Sequence, residues 1–260
     1  MLNIIVCVKV VYDISGLRVD QTGNLLTEGV PRKISDIDRN AVEEALRLKE
    51  RYGGRVNVVA AGPLVDERPI REVLAMGADA AYCVSEKAIE NFDTYLTSLI
   101  LAKTIEKLKP FDLILCGEAS IDTGTSQVGP RLAEILNIPV ITYARKVWLE
   151  NGQLFAERDL EDGYEVKKTT LPALVTVIKE INEPRIPTLL MIMAASKKQL
   201  VKLSLKDIGL PSSEVQEPFI KVEKLVPLKK ERKRMLLKGS KEEVVEKLLS
   251  ILRKEGIIKG

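Results

Sequence analysis

Residues 111–130, FDLILCGEASIDTGTSQVGP, constrain this chain more than any other stretch. They open with a short apolar run, Leu113-Ile114-Leu115-Cys116, held between Pro110 and Gly117. A run of that length between breakers predicts a buried strand. Small and polar residues follow: Gly117, Ser120, Thr123, Gly124, Thr125, Ser126 and Gly129. Val128, Leu132, Ile135 and Leu136 then recur at helical spacing. The order is strand, small-residue loop, helix start. In an open parallel sheet, ligands bind beyond the carboxyl ends of the strands. A helix start offers free N–H groups and a positive dipole end to a phosphate or pyrophosphate. Glycines let the backbone come close to such a group. An ordinary turn that binds nothing has the same spacing, and without a stricter fingerprint the loop alone does not separate the two.

The rest of the chain reads as alternating strands and helices, which predicts an α/β fold with an open, mostly parallel sheet and helices on both faces. Residues 3–11 are nearly all apolar, as expected of an interior parallel strand. Residues 17–30 suggest a hairpin excursion around Thr22-Gly23-Asn24. A helix follows to about Tyr52, with Ser35, Asp36 and Asp38 as N-cap candidates and Gly53-Gly54 as its stop. Strands are expected at 56–60 and 80–84, with a helix over 67–76 between them. Asp66 caps that helix, and Asp93 caps a longer one ending before Pro110. Residues 140–142 add a short parallel strand. Over about 144–178, Asn151-Gly152 and Asp162-Gly163 mark turns between strand-like runs, hence an antiparallel extension. Residues 181–198 read as loop. The first 200 residues form the main domain. Residues 201–260 form an arm with a basic run at Lys229–Arg234 and a final amphipathic helix, opened by a Ser240–Glu243 capping box. That helix docks either on another chain or back on its own domain.

Composition narrows the function. The chain has 260 residues, 45% of them hydrophobic, enough for a sizeable core. Net charge is +3 and aromatic content 4%, which argues against a nucleic-acid partner. Cys7, Cys83 and Cys116 sit in apolar runs without CxxC spacing, so they read as buried side chains. No apolar run is long enough for a membrane span, and the N-terminus reads as a strand and not as a signal peptide. A cytoplasmic location is the expectation. The chain contains no histidine, which removes Ser-His-Asp and Cys-His chemistry and most zinc sites. Chemistry without histidine relies on carboxylates, lysine or a bound cofactor, and the last fits a cofactor-binding loop best.

Several stretches in order resemble the beta subunit of electron transfer flavoproteins. They are VKVVYD at 8–13, NAVEEALRLKE at 40–50, LAMGAD at 74–79, the loop at 117–130, LPALVTV at 171–177 and NEPR at 182–185. Together they span roughly residues 1–210. The resemblance implies an adenine-nucleotide-binding domain related to universal stress and photolyase-like domains, paired with an alpha subunit that carries the electron-transferring FAD. In simple members the beta subunit binds AMP. In electron-bifurcating members the same pocket holds a second FAD, which takes a hydride from NADH and splits the pair between two acceptors.

Carried onto this chain, the resemblance implies a pocket of Cys7, Ser35, Asp36, Ile37, Asp38, Ala61, Gly117, Glu118, Ala119, Ser120, Ile121, Asp122, Thr123, Gly124, Thr125, Ser126, Gln127 and Val128. Cys7 and Ala61 would present backbone to adenine. The loop would hold phosphates through amides and the hydroxyls of Thr123, Thr125 and Ser126. Asp122 either accepts from a ribose hydroxyl or braces the turn. Ser35-Asp36 stands where many members have Asn-Pro. The hydroxyl-rich loop resembles the bifurcating pattern, which favours FAD, with AMP the alternative. Residues 182–193, NEPRIPTLLMIM, resemble the family's recognition loop, and Leu189 matches the apolar anchor for a partner dehydrogenase or quinone-linked oxidoreductase. The other reading of Leu189 is packing on its own domain. A stress-protein-like nucleotide-binding regulator is the competing class, and it requires neither the extension nor the arm. The chain is expected to oxidise NADH only as part of a bifurcating complex.

Overall fold

The computed structural model describes the chain apart from residues 21, 23, 87–92, 212–214, 216–218, 221–222, 224–233 and 259–260. Its elements begin with β1 (Leu2–Val8), β2 (Val10–Tyr12), β3 (Arg18–Val19), β4 (Leu25–Leu26) and β5 (Arg32–Ile34). Next come α1 (Asp36–Tyr52), β6 (Gly54–Gly62), α2 (Glu67–Met76), β7 (Ala80–Ser85), α3 (Thr94–Glu106), β8 (Leu113–Gly117) and α4 (Val128–Leu136). Then follow β9 (Val140–Glu150), β10 (Gln153–Leu160), β11 (Gly163–Thr169), β12 (Ala173–Val177), α5 (Leu189–Ala195), β13 (Gln199–Leu203) and α6 (Lys241–Lys254). The chain divides into two compact units, Met1–Lys224 and Leu225–Gly260.

The first unit is built on a sheet ordered β11-β10-β9-β12-β8-β1-β6-β7-β13. Strands from β9 to β13 in that order run parallel, and β10 and β11 add an antiparallel hairpin at one end. The expected α/β architecture is therefore present. Successive residues of β1 face opposite layers, as pleating requires. Ile4, Val6 and Val8 join a core with Ala41, Val42 and Ala45 of α1 and Ile70 and Leu74 of α2. Ile5 and Cys7 join a second core with Leu101 and Ile105 of α3 and Leu132 of α4. Burial on both faces explains why the central strands are apolar without alternation. All three cysteines are free and buried, in β1, β7 and β8.

The structure differs from the expectations in several places, each with a local cause. The first strand does not run unbroken over 3–11. It breaks at Lys9, whose N–H turns to the Asp38 carboxylate at 2.8 Å, and β2 pairs instead with β5. Arg18–Val19 and Leu25–Leu26 do pair as a hairpin, while Gly23 of its expected centre lies outside the described residues. The antiparallel character of 144–178 ends with β11. β12 returns to the parallel sheet between β8 and β9, since its run, Ala173–Val177, is buried on both faces. The stretch 181–198 is not all loop. Thr188 accepts the Met191 amide and starts α5. β13 pairs with β7, so the main unit extends past residue 200. In the second unit the Ser240–Glu243 capping box opens α6. Val245, Leu248 and Leu249 of that helix are exposed. Most of the basic run, up to Lys233, lies outside the described residues.

Candidate functional site

Chain order runs β1 to β6 and β7 on one side of the sheet, then returns to β8 on the other side of β1. The carboxyl ends of β1 and β8 are therefore the sheet's switch point, whose crevice is where ligands bind in open α/β sheets. Cys7 and Cys116 face each other in register just below it. Burial pushes both thiols up, so neither is a ready nucleophile.

Asp38, in the first turn of α1, holds the crevice together. Its Oδ2 accepts the Lys9 amide at 2.8 Å and its Oδ1 accepts the Gly117 amide at 3.0 Å. One carboxylate thus ties the ends of both central strands. Burial pushes it up to about 7, while the two donated amides act downward. Of the candidate helix caps, Ser35 occupies the N-cap position of α1, and Asp38 lies inside its first turn. Ser35 makes no cap bond, and its Oγ instead accepts the Ile121 amide at 3.3 Å. Both side chains serve the 117–128 loop. Asp36 turns away and pairs with Lys33 at 3.0 Å.

Two glycines set how closely the backbone can pack there. A Cβ on Gly117 would lie 2.5 Å from Asp38 Oδ1 and 3.1 Å from the carbonyl carbon of Ile37. A Cβ on Gly129 would collide with the Thr176 methyl and lie 3.2 Å from Cys116 Sγ. The first glycine lets α1 reach β8, and the second seats α4 on β8 and β12.

The loop is closed by its own side chains. Ser126, with φ of 55°, donates its hydroxyl to Glu118. Ser120 and Thr123 share a hydrogen bond of 2.9 Å. Gln127 joins Thr94 at 2.8 Å, and the Val128 carbonyl accepts from Ser98 at 3.3 Å, so α3 abuts the start of α4. Ala119 is half-buried, while Gly124 and Thr125 are exposed on the loop surface. Asp122 accepts the Thr123 amide at 2.9 Å and pairs with Lys9 at 2.8 Å. Lys9 was absent from the sequence-derived set. The signal that could have found it is its position at the carboxyl end of the central strand. Ala61 lies at the end of β6, on the other side of β1.

A second feature lies on the α1 and α2 side. Asn40 donates to the Asn182 carbonyl at 2.7 Å, and Asn182 donates back to the Asn40 carbonyl at 3.1 Å. Arg185 forks onto Glu43 at 2.7 Å and Glu50 at 2.6 Å. Further along, Arg71 donates to carbonyls of α5 and its following turn, and Lys198 to the carbonyls of Leu74 in α2 and Ala78 just after it. Between these anchors, Ile186, Leu189, Leu190, Ile192 and Met193 are exposed. Leu189 is 73% exposed, so it does not pack on its own domain.

Comparison with known proteins decides the family. Residues 22–208 match the model of the electron transfer flavoprotein domain. The chain is 40% identical over 255 residues, 98% of each chain, to the electron transfer flavoprotein subunit beta of Bacillus subtilis. The chain belongs to the electron transfer flavoprotein beta-subunit family. Its similarity to the beta subunit of Thermoanaerobacterium thermosaccharolyticum is 46% over 207 residues, 79% of each chain. It is also 41% identical, over 211 residues and 80% of each chain, to subunit CarD of a caffeyl-CoA reductase–Etf complex from Acetobacterium woodii. In this beta-subunit chain, among the described residues, no helix is long and apolar enough to cross a membrane.

Proposed function

We propose that this chain is the beta subunit of a heterodimeric electron transfer flavoprotein, that it pairs with an alpha subunit, and that its switch-point crevice binds FAD. The observation that carries this reading is the strand–loop–helix run from β8 to α4, which leaves the sheet at its switch point beside β1 in a chain of this family. The amides at the start of α4 suit a pyrophosphate, while those of Gly117, Glu118, Ile121, Thr123 and Gly124 are engaged within the protein. Cys7 and Ala61 offer backbone at neighbouring strand ends for the adenine. FAD bound there supplies two-electron chemistry with NADH and onward one-electron transfer. The chain's own part is to hold the phosphates, orient the dinucleotide and dock partners.

FAD is favoured over AMP because the hydroxyl-rich run 123–128, which follows Asp122, resembles the bifurcating pattern. The relationship to a subunit of a reductase–Etf complex supports the same choice. The exposed apolar segment around Leu189 fits docking to a dehydrogenase or quinone-linked oxidoreductase. The exposed apolar residues of α6 fit docking on the alpha subunit. The test is anaerobic addition of NADH to the heterodimer. Rapid bleaching of flavin absorbance is the expected result. A flavin that reacts only with a reduced dehydrogenase would instead mark the AMP-binding type.

A further inference from the structure

The sequence-derived pocket set contains four acidic side chains, Asp36, Asp38, Glu118 and Asp122, and no basic one. A phosphate brought into that set meets like charge unless a cation is supplied. The geometry brings Lys9. Its Nζ stands 3.0 Å from Asp122 Oδ1 and 2.8 Å from Oδ2, joining residues 113 apart in sequence. The Lys9 backbone is fixed, because its amide donates to buried Asp38. Its side chain is 43% exposed and that of Asp122 32%, so both reach solvent and anything that enters from it. Burial acts upward on the Asp122 carboxyl, but the Lys9 and Ser120 hydrogen bonds outweigh it and hold the group below its ordinary range.

We propose that Lys9 is a phosphate-binding residue of this pocket and that Asp122 is its resting partner, exchanged for the nucleotide phosphate on binding. The inference rests on reading the crevice as an adenine-nucleotide site. An ion pair this exposed contributes little by itself, so the ammonium is available to a phosphate, whose greater negative charge attracts it more strongly than one carboxylate does. The exchange leaves no orphan, since Asp122 keeps the Thr123 amide as donor. It also accounts for a carboxylate sitting where phosphates are to be held: before binding, Asp122 keeps the ammonium at the loop.

A surface ion pair that merely braces the loop makes a different prediction. Under bracing, loss of either partner loosens the loop and weakens nucleotide binding. Under exchange, the two losses act in opposite directions. The experiment is calorimetric titration of the full-length, nucleotide-free chain with AMP, and with adenosine as the uncharged control. Lys9→Gln is expected to weaken AMP binding about tenfold, the scale of one charge-assisted hydrogen bond, and to leave adenosine unchanged. Asp122→Asn is expected to tighten AMP binding. Weaker or unchanged AMP binding in Asp122→Asn would overturn the exchange. So would equal losses of AMP and adenosine in Lys9→Gln. If the wild-type chain and its complex with the alpha subunit bound no adenine nucleotide in this crevice, the pocket reading itself would fail, and this inference with it.

Discussion

Asp38 Oδ1 accepts the Gly117 amide at 3.0 Å, across 79 residues of chain. The contact is possible only because residue 117 lacks a Cβ. Gly117→Ala must push α1 away from β8 or rotate the Asp38 carboxylate off its two amides. A cost of about 1–3 kcal/mol is expected for such overpacking. Urea denaturation of the variant measures it. Nucleotide retention should fall in parallel, because the same shift opens the crevice floor.

Asp38 also predicts a pH dependence. Its carboxyl is pushed up from 3.8 to about 7 in the folded chain, by burial above all. Between those values the folded state binds the proton more tightly than the unfolded state does. Its contribution is therefore full below the unfolded value and is lost as pH rises through about 7. Asp38→Asn removes this slope, and one of the two amides loses its acceptor. Thermal melts from acidic to neutral pH should show a flatter profile for the variant. An identical slope in both proteins would mean that another group titrates there.

Much of this architecture was legible in the sequence. Leu113–Cys116 between Pro110 and Gly117 announced β8, and Asp66 and Asp93 announced helix starts that the structure places at those residues. Long-range roles were not legible. Ser35 and Asp38 carry the signature of a helix cap, but their side chains are used by Ile121, Lys9 and Gly117. Local pattern cannot distinguish a cap from a contact made 79 residues away. Lys9 was hidden for the same reason, because its partner Asp122 lies on a loop that only sheet order brings near. α5 was missed because its apolar residues face outward, so no buried stripe marks it.

Arg185 ties the exposed segment to α1 through Glu43 and Glu50. The Glu43 side chain is 4% exposed. Arg185→Ala leaves it with Arg47 as its remaining ion-pair partner of the network. A loss of about 1–3 kcal/mol follows from stranding part of a buried carboxylate's hydrogen bonding. If the network positions the docking segment, KM for the partner rises more than kcat falls, and limited proteolysis near residue 186 accelerates. A stability loss with unchanged partner kinetics would reduce the network to a structural role.

Leu189→Ala should leave stability and cofactor content unaltered, since the side chain is already in solvent. Electron transfer to a partner dehydrogenase should slow, as expected when an interface anchor is truncated. Stopped-flow transfer rates read this directly. Unchanged rates would remove Leu189 from the docking account.

The most direct measurement is nucleotide content. The chain is co-purified with its alpha subunit, the complex is denatured, and released FAD and AMP are quantified per heterodimer by chromatography. Two FAD and no AMP is the predicted result, placing one flavin in the crevice between β1 and β8. One FAD and one AMP would contradict the flavin assignment and leave this subunit a structural and docking element.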